Sequence, residues 1–242
     1  MVPWHRIVPT WDPSKSAAPR EGVDARHRMK RTCEPELLDG LPFDHPDAVH
    51  SRRDLRIVNR FMRSLRWFGR TLPGLVRPGE PVLEIGAGTG ELGSHLIARK
   101  VAVDGLDLCP KPPRWPAGRQ WHQADIRTFG GYGEYPVVIG NLIFHQFSDA
   151  DLAALGRAIG PGTRLVVASE PLRSRLSQRM MAAVAPLLGA NHVTLHDARV
   201  SIAAGFLGLE LPVALGMDPA LWEITCSSAL PGIYRMVAIR RA

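Results

Sequence analysis

Cysteine is scarce: Cys33, Cys109 and Cys226 are the only three in 242 residues, and they lie far apart with no Cys-x-x-Cys pair. That usage excludes a disulfide framework and a cysteine-based metal centre, and it predicts a reducing, cytoplasmic setting. No run of about 18 apolar residues occurs, so no membrane-spanning helix is expected, and the first residues lack the apolar core of a secretory leader. A soluble chain is the expectation. No internal repeat is visible, and His, Asp and Glu nowhere gather at metal-ligand spacing, so no metal is expected.

What is present is enough for a core. Hydrophobic residues make up 45% of the chain, which suits one α/β domain with an extension. The net charge is +7, and residues 1–81 carry most of it, with 15 Lys and Arg against 10 Asp and Glu. No block of like charges reaches the length of a nucleic-acid-binding tail, so nucleic acid is disfavoured as a partner and a solvated helix face is preferred. A homo-oligomer stays open.

The chain is organised around Val82-Leu83-Glu84-Ile85-Gly86-Ala87-Gly88-Thr89-Gly90-Glu91-Leu92-Gly93. An apolar run suits a buried parallel strand, and alternating glycines let the backbone turn sharply and approach a ligand. A dinucleotide fingerprint starting at Gly86 needs glycine at position 91, where Glu91 stands. An acid there also disfavours a pyrophosphate.

The stretch resembles motif I of the class I, Rossmann-like S-adenosylmethionine-dependent methyltransferases. The resemblance implies a doubly wound α/β sheet, mostly parallel with an antiparallel closing strand, plus N-terminal helices. It implies S-adenosyl-L-methionine as cofactor and a small-molecule methyl acceptor as partner. Three regions are expected: a flexible extension over 1–30, a helical cover over 31–78 and the methyltransferase domain over 79–242.

The extension holds Pro3, Pro9, Pro13 and Pro19 with no sustained period. Glu36-Leu37-Leu38-Asp39 precedes a proline-containing loop. Over 54–70, Leu55, Val58, Met62, Leu65 and Phe68 recur at helical spacing with arginines between them, which predicts one amphipathic helix. This arrangement is similar to the N-terminal helices that cover the donor pocket of small-molecule methyltransferases; a helix that only closes one side of the sheet is the alternative. Asn59 and Arg60 are its polar residues of interest.

After motif I, residues 91–100 read as the first crossover helix and 101–108 as the second strand. Asp107 ends that strand about 20 residues past Gly86, the spacing at which such folds place an acid on ribose hydroxyls. Asp104 is the rival, but it precedes Gly105 inside the strand, so Asp107 is preferred, with Leu108 beside it. Asp125-Ile126 resembles the third-strand motif, whose acid accepts from the adenine amino group while the next amide reads a ring nitrogen. The donor set expected from the resemblance is therefore Glu84, Gly86, Ala87, Gly88, Gly90, Asp107, Leu108, Asp125, Ile126 and Asn141.

Residues 135–147 read as a buried strand running into Asn141-Leu142-Ile143-Phe144-His145-Gln146-Phe147, which resembles the fourth-strand segment of ubiquinone- and menaquinone-type methyltransferases. Ser148 and Asp151 form an acidic capping box for a helix ending near Ile159. Gly160-Pro161-Gly162-Thr163, a strand and Glu170-Pro171 follow, close to the family's fifth-strand pattern. Residues 173–188 read as a helix, 189–194 as a link and 196–205 as a further helical turn. Two strands about Leu230-Pro231-Gly232 match an antiparallel closing pair.

Methyl transfer gains most from holding the nucleophile in line with the methyl carbon. A phenolic acceptor also benefits from a base near neutral pH, for which His145 is the candidate; packing between Phe144 and Phe147 is its alternative role. His122 reads as structural, and His192 and His196 as outside candidates. Glu84 is expected to accept from glycine-turn amides or to sit near the cationic donor, and Glu170 to line the acceptor side. The Asn/Asp-Pro-Pro-Tyr motif of nucleic-acid amino-methylating enzymes is absent, since Leu142 and Ile143 follow Asn141. The function expected is methyl transfer to an oxygen or carbon of an apolar or aromatic, polyketide- or quinone-like acceptor. A nicotinamide-dependent oxidoreductase and a non-catalytic donor-binding partner subunit are the alternatives.

Overall fold

The computed structural model describes residues 29–241 except Phe43 and Pro161, and of Leu55, Val58, Asn59, Arg60, Phe61 and Leu188 it describes the backbone alone. The expectations for the 1–28 extension and for the Asn59 and Arg60 side chains thus fall outside the described residues.

Among the described residues a seven-stranded sheet runs in the order β3-β2-β1-β4-β5-β7-β6. Its strands are β1 (Pro81–Ile85), β2 (Ala102–Asp107), β3 (Trp121–Gln123), β4 (Val137–Asn141), β5 (Leu165–Pro171), β6 (Trp222–Ala229) and β7 (Ile233–Arg240). The first five pair in parallel, while β7 runs antiparallel to both β5 and β6. The mostly parallel sheet with an antiparallel closing pair is therefore as expected.

Continuous apolar strands can be buried on both faces, and successive side chains of one strand then serve different cores. Val82, Val103, Val137, Ile139, Leu165 and Val167 pack with Phe68, Leu72, Leu92 and Leu96. On the other face Leu83, Ile85, Leu106, Val138 and Val166 pack with Phe144, Leu152, Leu155, Leu211 and Phe206. The first face is covered by α2 (Ser64–Thr71) and α3 (Glu91–Ile97), the second by α4 (Asp149–Ile159) and α7 (Glu210–Ala214). Gly156 lets α4 meet the Leu215 carbonyl: a Cβ there would lie 1.9 Å from that oxygen.

Two helix expectations need correction. The amphipathic stretch is not one helix: α1 (Pro46–Phe61) stops, Arg63 takes a left-handed φ of 53°, and α2 restarts at Ser64. Periodicity survives such a break because the apolar positions can still face inward on both sides of it. The expected link at 189–194 is helical over its second half, since α6 spans His192–Ala204 after α5 (Arg175–Val184). Asn191 caps α6 by accepting from the Thr194 amide at 2.9 Å. The same oxygen accepts from the Ser51 hydroxyl at 3.0 Å, and Thr194 donates to Asp54 at 2.8 Å, tying α6 to α1.

Ahead of α1, residues 31–41 form a strap containing one 3-10 turn, Leu38–Gly40. Among the described residues no helix is long and apolar enough to cross a membrane.

Candidate donor and acceptor site

The site lies at the carboxyl ends of the parallel strands, where β1 and β4 diverge to neighbours on opposite sides, as ligand crevices do in open α/β sheets. Leaving β1, the Gly86 amide donates to the Leu106 carbonyl at 2.8 Å and the Gly90 amide to Ala87 at 2.8 Å. Gly86 and Gly88 have φ of 64° and 53°. A Cβ on Gly86 would strike Ile143 at 2.5 Å, so that glycine lets β1 and the segment after β4 close up. A Cβ on Gly88 would meet nothing within 4 Å, which leaves its backbone open to an incoming group. Ala87, between them, is buried.

Asp107 ends β2 and joins the turn. One carboxylate oxygen accepts from the Gly88 amide at 2.7 Å and the other from the Cys109 amide at 2.8 Å. Leu108 follows with 68% of its surface exposed. Asp104, the rival acid, is buried behind this edge and paired with Arg119 at 3.0 Å, the Gln120 amide at 2.8 Å and the Tyr135 hydroxyl at 3.2 Å. His122 meets that hydroxyl at 2.8 Å, which places it in the same buried network.

Glu84 is buried beneath the turn, and its Oε2 has no hydrogen-bond partner. Burial pushes its pKa up to about 8, opposed by a hydrogen bond from the Gly93 backbone and assisted by the charge of Asp107. Farther along the edge Asp125 is bridged by Arg127 at 2.6 Å and caps its amide at 2.8 Å; this bonding holds the carboxyl below its ordinary range. Ile126 is buried, and its carbonyl accepts from the Tyr132 hydroxyl at 2.7 Å.

Asn141 ends β4 opposite Ser169 of β5, and the chain then turns through Leu142, whose φ is 57°. His145 follows in a short 3-10 turn and is buried. Glu170, fully buried near the end of β5, accepts from the Ile143, Phe144 and His145 amides at 2.9, 3.1 and 3.2 Å. Its Oε2 also accepts from His145 Nδ1 at 2.7 Å, while His145 Nε2 points to Glu36 Oε1 of the strap at 3.3 Å. Burial alone would lower the imidazole's pKa; the hydrogen bonds and charges of Glu170 and Glu36 outweigh it and raise it to about 9. With both nitrogens engaged by carboxylates, His145 is here an imidazolium rather than a free base.

The strap residues that complete this arrangement escape sequence reasoning. Glu36 also accepts from the Ser201 hydroxyl of α6 and from Gln146, and Asp197 of α6 accepts from the Leu37 and Leu38 amides at 2.7 and 3.0 Å. These partners are more than 100 positions apart in the chain, and no local period or spacing marks them. Trp115 is another: its ring lies where a Cβ on Gly90 or Gly93 would go, 2.7 and 2.5 Å away, and shields the start of α3. Of the outside candidates, His196 pairs with Asp197 at 3.0 Å, while His192 is exposed beside a cleft of about 330 Å³ that Glu36, Leu37, Leu41 and Val193 also line.

No protein-family model matches the sequence, and no curated protein is similar to it. Solved structures are similar in shape. The plantazolicin methyltransferase BpumL in complex with SAH aligns with a TM-score of 0.61 at 15% identity, over 83% of this chain and 92% of that one. BpumL with a triazolic desmethylPZN analog and SAH gives 0.64 at 13% identity, over 83% and 93%. The magnesium protoporphyrin IX methyltransferase ChlM from Synechocystis PCC 6803, with bound SAH, gives 0.50 at 15% identity, over 74% and 82%. At these identities the likeness is one of architecture: the chain has the fold of the class I, Rossmann-like methyltransferases.

Proposed function

We propose that this protein is a methyltransferase that takes its methyl group from S-adenosylmethionine and delivers it to an oxygen or carbon of a small apolar or aromatic acceptor. The observation that carries the reading is the joint of Asp107 with the glycine turn. The Gly88 amide holds the Asp107 carboxylate at the mouth of a backbone stretch with open space above it.

The residues present fit the donor. Asp107 keeps lone pairs free to accept from vicinal ribose hydroxyls. Leu108 offers an exposed apolar surface to the adenine, and Asp125 and Ile126 stand at the next strand end to read its edge. The unpartnered oxygen of Glu84, buried under the turn, leaves a polar atom there for a ligand to engage. Glu91 opens α3 where a dinucleotide's pyrophosphate would sit, which disfavours the nicotinamide alternative.

The donor supplies an activated methyl group, and the chain's part is to hold the acceptor in line with it and keep water out. His145 takes the acceptor's proton when its Nε2 is free, with Glu170 fixing the ring through Nδ1. The quinone-like class of acceptor rests on the resemblance of the Asn141 to Phe147 segment. The two solved methyltransferases of similar fold named above act, by their names, on plantazolicin and magnesium protoporphyrin IX, which supports a small acceptor.

Isothermal calorimetry with S-adenosylhomocysteine (SAH) tests the reading. Binding in the micromolar range that Asp107→Ala weakens at least about tenfold, the loss of roughly 1.4 kcal/mol, is the expected result. No heat with SAH or S-adenosylmethionine would overturn it.

A further inference from the structure

The strap crosses the carboxyl edge of the sheet. At one end Arg31 reaches Asp149 at the start of α4 at 2.5 Å and the Phe147 carbonyl at 2.8 Å. At the other, Asp39 lies close enough to Asp107 at the end of β2 to feel its charge. Between these ends the strap meets His145 and Gln146, on the segment that leaves β4 at the crevice.

Polar bonds, not burial, hold it there. Its 3-10 turn buries no residue, and Leu37 is 43% exposed. What secures its middle is the pair of amides on Asp197 and the bonds of Glu36 to His145, Ser201 and Gln146. A segment with few buried apolar contacts opens at a smaller free-energy cost than the core beneath it.

We propose that Glu36 is a positioning residue that latches the strap to His145: with the strap down it occupies Nε2, and when the strap lifts that nitrogen is released toward the crevice. Access to the crevice and readiness of the histidine are then switched together. Glu170 does not move with the strap, because three backbone amides fix it, so Nδ1 keeps its proton on either side of the switch. On release the imidazolium gives its Nε2 proton to solvent, leaving a lone pair there; during transfer that lone pair accepts the acceptor's proton, which later leaves to solvent.

The charged groups facing the imidazole are Glu170 from β5 and Glu36 and Asp39 from the strap, and Asp197 of α6 acts on it through the strap. The catalytic consequence rests on the methyltransferase reading; the latch rests on geometry alone.

The test measures two things on the full chain: the titration of His145 by nitrogen-15 NMR of its ring, and hydrogen exchange at the Leu37 and Leu38 amides. Glu36→Gln removes the latch, and Asp197→Asn loosens the strap without touching the imidazole. Both variants should speed exchange about tenfold or more and lower the His145 pKa by about one unit or more. Should Glu36→Gln fail to fold, Asp197→Asn decides alone. Faster exchange in Asp197→Asn with an unmoved His145 titration would overturn the proposal, as would unchanged exchange in both variants. Failure of SAH to bind the wild type removes the methyltransferase reading and leaves this result standing.

Discussion

At the scale of single residues, the glycine turn separates a folding requirement from a binding one. Gly86 and Gly88 both have positive φ, but only Gly86 faces a neighbour, the Ile143 side chain. Gly88→Ala should cost about 1–2 kcal/mol, the usual penalty for a Cβ in the left-handed region, and should weaken SAH binding further because the methyl group occupies the open side. Gly86→Ala should cost more in stability, since Ile143 must also move. Thermal melts set beside SAH titrations check the pair; equal losses of binding at equal stability would contradict the distinction. The glycines were legible from spacing alone. Which of them packs and which stays open was not, because Ile143 lies 57 positions away and comes near only when β1 pairs with β4.

At the scale of elements, α4 shows how much a local signal can set. Ser148 accepts from the Asp151 amide at 3.1 Å, Asp151 accepts in return from the Ser148 amide at 3.3 Å, and the helix runs Asp149–Ile159 as the sequence predicts. Ser148→Ala should destabilise the chain by about 1 kcal/mol, measured by urea unfolding, with Ser148→Asp restoring most of it. A neutral Ser148→Ala would mean that packing of Leu152 and Leu155 alone holds the helix start. The break between α1 and α2 had no such signal. Arg63 adopts a left-handed conformation for which arginine has no preference, whereas the start of α6 does carry a local signal, Asn191, a favoured cap residue that accepts from the Thr194 amide three positions on.

At the scale of the molecule, the buried titratable groups set a pH dependence. His145 is raised from 6.5 to about 9, so the stability it gains from Glu170 and Glu36 is fully present below about 6.5 and lost as pH rises through about 9. Glu84 is raised from 4.5 to about 8 by burial. The folded state favours its neutral acid, so stability is highest below about 4.5 and falls as pH rises through about 8. Both act in one direction, and the chain should be weaker at pH 9.5 than at pH 6.5. Urea midpoints at the two pH values check this. Glu84→Gln should reduce the difference by on the order of 2 kcal/mol or less, and a flat profile in the wild type would refute the assignment.

The division between sequence and tertiary structure follows the range of the forces involved. Strand positions, the glycine turn, the acids near strand ends and the α4 cap come from local patterns: apolar runs, φ requirements and hydrogen bonds three residues apart. Those determined the doubly wound fold and the place of the crevice. The state of His145 was decided only in three dimensions, where Glu36, 109 positions earlier, and Glu170, 25 positions later, converge on one ring. A sequence names a histidine; its charge depends on burial and on partners that folding brings within about 3 Å, and no local pattern encodes either.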